Sequence, residues 1–303
     1  MVPKANHDDI LGRYREIIAD PLNLLIPRVE AAGTVVEDHV VLHNGHLVPL
    51  SGDYAYYDDF SNILVLNRGV HEPVEEFVFQ SMLPHLPEQP VMLELGAMWA
   101  HYSMWMLQAR PKGRAFMVEP DPAGLESGMR NFARNGFQGT FEEGFIGAGK
   151  VTVDDFMARH GLDRLTVLHS DIQGYEVEML DGAAEAFAQR RIDYAFVSTH
   201  GQPRHENVAA RLEGFGYRLD AVSDFANDTT SHDGLVLAVR PDLPPFLPRM
   251  GFLGRSKINA SSPAELTAYL TDLSSAMEPA PSPAPKPAPA SKQPGRWPRL
   301  FGA

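Results

Sequence analysis

The chain has 303 residues, no cysteine and a formal net charge of −13 at pH 7. This length suits one large domain with appendages. The absence of cysteine excludes disulfides, zinc–thiolate sites and a cysteine nucleophile. The negative net charge argues against a nucleic-acid partner. The hydrophobic fraction of 44% and the charged fraction of 21% are ordinary for a soluble globular protein, and no secretory leader or membrane-spanning stretch is apparent, so we expect a cytoplasmic protein.

The N-terminal zone, residues 1–87, is predicted to be an α+β appendage. Short alternating strands surround the Asn44-Gly45 turn signal, and a helix is expected where Pro73 follows His71 and Glu72. We expect this appendage to bind the acceptor of a reaction or to form the contact of a homodimer.

The C-terminal zone begins where the strand–helix alternation stops. Residues 242–277 are expected to carry a short helix with Ser262 as its cap and Glu265 three residues later. Residues 278–303 are rich in proline and alanine, which predicts an extended, disordered tail. This tail ends in a basic-aromatic tip around Trp297, and a docking peptide and an unused tail are equal alternatives for it.

Between these zones, residues 88–241 alternate strands and helices, which predicts an α/β domain with a mostly parallel seven-stranded sheet. The last two strands follow each other without a helix, so we expect a final antiparallel hairpin. That ending is characteristic of methyltransferases that use S-adenosyl-L-methionine (SAM) and is rare in dinucleotide-binding folds. The predicted strands are 91–95, 115–118, 139–145, 165–169, 193–198, 217–222 and 234–239, and the predicted helices include 151–160, 175–188 and 204–214.

The first strand ends in an acid and a tight turn, at Glu94 and Gly96. A glycine turn lets the backbone approach a ligand closely, and the acid Glu119 at the end of the second strand stands where a ribose diol is held in nucleotide-binding α/β folds. An adenosine-containing cofactor is therefore expected. The dinucleotide pattern G-x-G-x-x-G is absent, because Met98 and His101 hold its later positions. SAM has no pyrophosphate and needs fewer glycines, so it is favoured over a nicotinamide.

Three further segments carry a family resemblance. They are Arg130 to Gly136, Val153 to Phe156, and the run HSDIQGYEVEMLDGA from His169 to Ala183. This sequence resembles the FkbM family of SAM-dependent methyltransferases over about residues 90 to 240, and it departs from the family in having Glu94 for the commoner Asp and Ala100 for a usual second glycine. The resemblance implies a Rossmann-like SAM-binding domain over 88–241 and O-methylation of sugar or polyketide hydroxyls.

The resemblance also implies a set of cofactor contacts. Gly96 and Ala97 would pass under the methionine part, Glu119 would bind the ribose hydroxyls, and the end of the third strand would flank the adenine. His101 and Tyr102 open the next helix and could face the cofactor, although a core or cap role is an equal alternative. The full predicted set is Glu94, Gly96, Ala97, His101, Tyr102, Glu119, Pro120, Asp121, Gly144, Phe145 and Ile146.

The candidate catalytic residues lie at the ends of three strands, at one edge of the sheet. Asp171 follows the fourth strand, His200 follows the fifth, and His232 and Asp233 precede the last. In the usual methyltransferase strand order these positions converge, with His205 one turn into the next helix. Two roles stay open. His200 and Asp171 could take the proton of an acceptor hydroxyl, or the cluster of Asp171, His200, His232 and Asp233 could hold a divalent metal, with Mn²⁺, Fe²⁺ or Zn²⁺ suiting mixed His/carboxylate ligands better than Mg²⁺.

The acceptor pocket is the least specified part of the site. Arg68, His71 and Glu72 are candidates, as are Tyr54, Tyr56 and Tyr57, whose rings suit sugar faces but are more often packing. The leading hypothesis is a SAM-dependent O-methyltransferase with a small or carbohydrate acceptor. Its alternatives are a non-catalytic SAM-binding scaffold and a nicotinamide-dependent sugar-modifying enzyme.

Overall fold

The N-terminal segment of the computed structural model forms a small antiparallel sheet and two longer helices that cover one face of the central sheet. The structure describes residues 7–56, 58–147, 150–247 and 251–275. In chain order the N-terminal elements are α1 (His7–Ala19), β1 (Val35–Val36), β2 (His39–Val41), β3 (Leu47–Pro49), α2 (Ile63–Leu66) and α3 (Pro73–Met82), with 3-10 turns at Pro21–Leu24, Asp58–Asn62 and Leu83–His85. Tyr57 and the tail that contains Trp297 lie outside the described residues.

The central sheet has seven strands in the order β6-β5-β4-β7-β8-β10-β9. Neighbouring strands are parallel from β6 to β8, whereas β10 runs antiparallel to both β8 and β9. The predicted fold class, a Rossmann-like methyltransferase sheet with a final antiparallel strand, is therefore confirmed. The strands are β4 (Val91–Leu95), β5 (Arg114–Glu119), β6 (Thr140–Glu143), β7 (Leu165–Ser170), β8 (Ile192–Thr199), β9 (Arg218–Ser223) and β10 (Gly234–Val239).

Helices lie on both faces of this sheet. They are α4 (His101–Ala109), α5 (Pro122–Asn135), α6 (Val153–Arg159), α7 (Glu176–Asp181), α8 (Ala184–Ala188) and α9 (Gln202–Gly214). The helix predicted over 175–188 is two helices, because the Asp154 carboxylate accepts the N–H groups of Glu185 and Ala186, both at 2.9 Å, and so starts a new helix there. Of the helices in the described ranges, none has the length and apolarity needed to span a bilayer.

The C-terminal segment forms two helices where one was expected, α10 (Arg255–Ala260) and α11 (Pro263–Ser275). The predicted cap of the second is present. The backbone N–H of Glu265 donates to the Ser262 hydroxyl at 3.3 Å, and the Glu265 carboxylate accepts the N–H of Ser262 at 2.7 Å. This reciprocal pair satisfies two donors that a helix start leaves unpaired.

Two apolar cores flank the central sheet. One contains Phe77 and Phe79 of α3 together with Tyr102 and Phe196, so the N-terminal segment shares a core with the sheet. The other lies under α6 to α9 on the opposite face. Each fully buried aromatic side chain of this kind stabilises the fold by about 2–3 kcal/mol. Because α3 packs on the sheet, its first turn reaches the edge where the polar residues of the site collect.

Candidate active site

A cavity of about 330 Å³ opens beside the carboxyl ends of β4, β5 and β7. Ligand pockets of small molecules are of this size or larger. Residues of the N-terminal segment line it, and so do all of the predicted cofactor residues except His101. The predicted cofactor residues that line the cavity are Glu94, Gly96, Ala97, Tyr102, Glu119, Pro120, Asp121, Gly144, Phe145 and Ile146.

The turn after β4 is built around Gly96, which has φ +71°. Its N–H donates to the carbonyl of Val118 at 2.9 Å, and a Cβ on Gly96 would lie 1.8 Å from the carbonyl oxygen of Asp171. Met98 and Ala100 in the same loop also have positive φ values, of 41° and 57°. Glycine is the residue that adopts this region without strain, which accounts for the second glycine that the resemblance led us to expect at position 100.

Glu119 ends β5 with its carboxylate turned back onto this loop. Oε2 accepts the N–H of Met98 at 3.0 Å and Oε1 accepts the N–H of Asp121 at 2.9 Å. Burial raises the pKa of Glu119, although these two backbone bonds oppose the rise. Each carboxylate oxygen keeps a second lone pair, so the fixed carboxylate can also accept from a ligand hydroxyl.

Glu94 is buried and ties the loop to the following helix. Its Oε2 accepts the N–H of Ser103 in the first turn of α4 at 3.1 Å. Burial raises the pKa of Glu94 to about 7, against the opposing bonds from Ser103. The carboxyl group therefore changes charge close to neutral pH at the wall of the cavity.

These features together suit SAM. The absence of a side chain at Gly96 lets this turn pack directly against the backbone of Asp171 at the cavity wall, and the fixed carboxylate of Glu119 suits a vicinal diol. Buried acids along the wall favour a ligand that carries positive charge. The residues that would hold SAM are thus those of the Gly96 loop and of the β5 and β6 ends.

His101 does not line the cavity and lies behind its wall. Its ring stacks on Trp99 with 5.0 Å between ring centroids and contacts the rings of His43 and Trp105. Only 1% of His101 is exposed. The expectation that His101 faces the cofactor is therefore corrected, because the first turn of α4 directs Tyr102 to the cavity and His101 to the N-terminal segment.

Asp171, His200 and Asp233 converge beside the cavity. His200 Nε2 lies 3.5 Å from Asp171 Oδ1 and 3.4 Å from Asp233 Oδ1. The sheet register explains the second contact, since Thr199 pairs with Gly234 and the next residues outward are His200 and Asp233. His232 is exposed and is not part of this group. Of the four residues predicted as metal ligands, the structure therefore brings together Asp171, His200 and Asp233 and places His232 apart from them.

Glu176 holds the His200 ring in place. His200 Nδ1 lies 2.6 Å from Glu176 Oε1, which also accepts the N–H of Gly174 at 2.8 Å. The sequence indicated Glu176 only as part of the family pattern and gave it no role. Its position five residues after Asp171, at the start of a helix, is the signal that could have assigned it.

The charges of the three converging residues depend on one another. Burial and nearby carboxylates raise the pKa of Asp171 to about 6 and that of Asp233 to about 8. Burial alone would lower the pKa of His200, but Glu176, Asp233 and Asp171 outweigh it and raise that pKa to about 9. In the metal-free protein an imidazolium therefore lies between the two carboxyl groups at neutral pH.

The remaining candidates divide between the cavity and the protein interior. Tyr56, His71 and Glu72 line the cavity, whereas Arg68 and Tyr54 do not. The ring of Tyr54 stacks under the Arg130 guanidinium at 4.2 Å. His205 is buried, with Nδ1 2.8 Å from the Thr199 hydroxyl, and so supports the β8 end rather than the reacting groups. Two cavity residues that sequence reasoning missed are His169 and Trp99.

Several solved structures are similar to this chain, whereas no curated protein matches its sequence. The precorrin-6y C5,15-methyltransferase of Geobacter metallireducens GS-15 is 18% identical with a TM-score of 0.40, over 54% of this chain and 86% of that one. Fibrillarin of Aeropyrum pernix with bound SAM is 14% identical with a TM-score of 0.38, over 54% and 74% of the two chains. TrmK of M. capricolum with S-adenosyl-homocysteine is 11% identical with a TM-score of 0.41, over 65% and 82%.

A family model gives the more specific result. The methyltransferase FkbM domain matches residues 128–219, from within α5 to the start of β9. This segment contains Asp171, Glu176 and His200, which the structure brings together. The match supports SAM-dependent methyltransferase activity. The family resemblance predicted from the sequence is therefore confirmed: residues 128–219 of this chain are similar to the methyltransferase FkbM domain.

Proposed function

We propose that the chain is a SAM-dependent O-methyltransferase that acts on a hydroxyl of a sugar, a glycan or a small natural product. One observation carries the proposal: Asp171 both lines the cofactor cavity and belongs to the Asp171–His200–Asp233 group. Groups able to take a proton therefore lie beside the place where the methyl donor is expected. Bound SAM supplies an electrophilic methyl group on a sulfonium.

Asp171, His200 and Asp233 have different roles towards the acceptor hydroxyl. A hydroxyl keeps its proton at neutral pH, so a nearby base must accept that proton as the new bond forms. In this proposal the Asp171 carboxylate receives the proton of the hydroxyl. The His200 imidazolium assists by orienting the hydroxyl and balancing the charge of Asp171. Asp233 contacts the same ring nitrogen of His200 and helps to hold the ring. Glu176 is a positioning residue, because it contacts His200 and not the cavity.

The same three residues also suit a divalent metal. Their ligand atoms lie within 4.8 Å of one another, and His200 Nε2, though buried, has no hydrogen-bond partner among the described residues. One nitrogen and two carboxylate oxygens are ligands for Mn²⁺, Fe²⁺ or Zn²⁺. Such an ion would bind an acceptor hydroxyl and lower its pKa.

The acceptor side of the cavity is supplied by the N-terminal segment. Tyr56 stacks on Trp99 with 4.4 Å between ring centroids, and both line the cavity with His71 and Glu72. Aromatic faces beside hydrogen-bonding groups suit the apolar and hydroxyl-bearing sides of a carbohydrate. This arrangement supports a carbohydrate-like acceptor.

Binding of S-adenosylhomocysteine to EDTA-stripped protein tests the cofactor, measured by calorimetry and repeated with Mn²⁺ or Mg²⁺. We expect micromolar binding, and no binding under either condition would overturn the proposal. A Mn²⁺ isotherm that is lost in both Asp171→Asn and His200→Gln would assign the metal role. Cofactor binding without a Mn²⁺ isotherm would leave the group as a metal-free base.

Transfer of label from SAM with a tritiated methyl group tests the acceptor class. We expect label in hydroxyl acceptors from a panel of monosaccharides, oligosaccharides and phenols, and its loss in Asp171→Asn. Exclusive labelling of matched amines would contradict O-methylation, and cofactor binding without transfer to any acceptor would favour a scaffold.

A further inference from the structure

A second group of histidine and carboxylate side chains lies behind the cavity wall and away from Asp171. His43 follows β2, Glu76 is in the first turn of α3, and His101 begins α4. Their exposed fractions are 1%, 0% and 1%. Three segments that are distant in sequence thus place polar side chains at one point in the protein interior.

The geometry of this group is that of a ligand set. The ligand atoms of the three residues lie within 4.8 Å of one another, with His43 Nε2 3.1 Å from Glu76 Oε2. Neither ring nitrogen of His101 has a hydrogen-bond partner among the described residues. A buried imidazole without any partner is costly in a protein interior, so a bound species that accepts its lone pair would account for its position.

We propose that His43, Glu76 and His101 bind a divalent transition-metal ion, with Zn²⁺ as the preferred occupant. Two imidazole nitrogens and one carboxylate oxygen form a donor set that suits Zn²⁺ and other first-row metals. Ca²⁺ and Mg²⁺ prefer oxygen ligands and do not fit this set. None of the three residues lines the cavity, so a bound ion would be separated from the substrate and would have a structural role.

The surroundings of Glu76 resemble the support that metal-bound carboxylates receive. His71 Nδ1 lies 2.5 Å from Glu76 Oε1, and the backbone N–H of His71 donates to the same oxygen at 2.8 Å. These contacts fix Oε1 and leave Oε2 on the side of His43. Hydrogen bonds to a ligating carboxylate orient it and raise metal affinity.

Aromatic rings close the rest of the site. The His43 ring meets Trp105 with 4.4 Å between ring centroids, and His101 stacks on Trp99. An ion here would join the β2–β3 segment, α3 and α4. His71 and Glu72 directly precede α3 and Tyr102 is in α4, and all three line the cavity. The metal would therefore hold the acceptor side of the cavity in shape.

The test separates this site from the group at Asp171. The full-length double variant Asp171→Asn/His200→Gln removes ligands of that other group, and it is purified from cells grown with zinc. We expect about one Zn²⁺ per chain by mass spectrometry. Removal of the ion by a chelator should lower the Tm by about 5 °C or more, since a ligand bound only to the folded state stabilises it.

Adding His101→Gln to this background should abolish the bound Zn²⁺ and the effect of the chelator on Tm. His46→Gln is the matched control, because His46 is a buried neighbour outside the ligand set, and it should keep the ion. Co²⁺ loaded into the Asp171→Asn/His200→Gln variant should give the visible d–d absorption of a low-coordinate site. This measurement does not require a substitution of any of the three proposed ligands. The proposal would be overturned if the Asp171→Asn/His200→Gln variant bound less than about a tenth of a Zn²⁺ ion per chain and its Tm did not change on addition of zinc or chelator.

Discussion

The backbone carbonyl of Asp171 packs against Gly96, at the point where a Cβ would lie 1.8 Å from its oxygen. In addition, the N–H of Asp171 donates to the carbonyl of Leu95 at 3.0 Å. The loop expected to carry the methyl donor and the residue expected to take the acceptor's proton are therefore one packed unit. A shift of either loop moves the other, so donor and acceptor geometry are set together.

Gly96→Ala should disrupt this unit. The new methyl group would overlap the Asp171 carbonyl, and alanine would be strained at φ +71°. We expect loss of S-adenosylhomocysteine binding by more than about 100-fold, or about 3 kcal/mol, and a lower free energy of unfolding. Calorimetry and urea titration measure the two effects.

Gly12→Ala is the matched control for that substitution. Gly12 lies in α1, and a Cβ there meets nothing within 4 Å. Alanine is favoured over glycine in a helix by about 1 kcal/mol, so this variant should bind S-adenosylhomocysteine normally and unfold at slightly higher urea. Equal behaviour of the two alanine variants would show that Gly96 is not required by the close approach.

The elements that the sequence predicted well are those set by local pattern. The run Gly234 to Val239 is a strand with the predicted bounds, because it is a short apolar segment between turn residues and is buried on both faces. Its pairing with β8 then follows from the order of strands. The approach of Asp171 and His200 could be predicted for the same reason, since both residues follow buried neighbouring strands.

The parts that were missed depend on contacts between distant segments. Sequence spacing cannot decide which of His232 and Asp233 points inward, because that is fixed by the antiparallel register of β10 on β8. In the same way, His101 faces His43 and Glu76 only because α3 packs on the sheet. No local pattern contains that information.

Glu119→Gln should weaken cofactor binding without unfolding the protein. Glutamine can still accept one of the two N–H groups from Met98 and Asp121, but it loses the negative charge that favours ribose hydroxyls. We expect S-adenosylhomocysteine to bind about 10- to 100-fold more weakly by calorimetry, or about 1.4–2.8 kcal/mol. Glu126→Gln on the exposed side of α5 removes the same charge outside the cavity. An equal loss in both variants would mean that net charge, and not the position of Glu119, sets the affinity.

Asn135→Ala should loosen the N-terminal segment from the α/β domain. Asn135 Oδ1 accepts the N–H of Leu47 at 2.8 Å, and its Nδ2 donates to the Leu47 carbonyl at 2.9 Å. The N–H and the carbonyl of Leu47, the first residue of β3, both lose this partner in the variant. We expect the free energy of unfolding to fall by about 1–3 kcal/mol in urea titration. Asn135→Asp keeps the acceptor and loses the donor, so it should fall between alanine and the parent, and an aspartate variant as unstable as alanine would contradict this account.

Asp20 gives the fold a dependence on pH that is separate from the active site. This side chain is 2% exposed, accepts the N–H of Leu22 at 2.8 Å and accepts from the Thr230 hydroxyl, which ties the N-terminal turn to the loop before β10. Burial raises its pKa from 3.8 to about 6, although the bonds from Thr230 and Leu22 oppose the rise. The folded protein therefore holds this proton more tightly than the unfolded chain does.

The sign of the effect follows from that difference. A raised pKa in the folded state stabilises the fold fully below pH 3.8, and this contribution is lost as the pH rises through about 6. An asparagine side chain at this position would accept from Leu22 and donate to Thr230 without carrying charge. Asp20→Asn should thus be more stable than the parent by up to about 3 kcal/mol at pH 8, a figure that follows from the difference between the two pKa values at about 1.36 kcal/mol per unit. In urea titrations the difference in free energy of unfolding between Asp20→Asn and the parent should decrease towards zero as the pH falls to about 4. A difference that is independent of pH would show that Asp20 is ionised in the folded protein without an energetic cost.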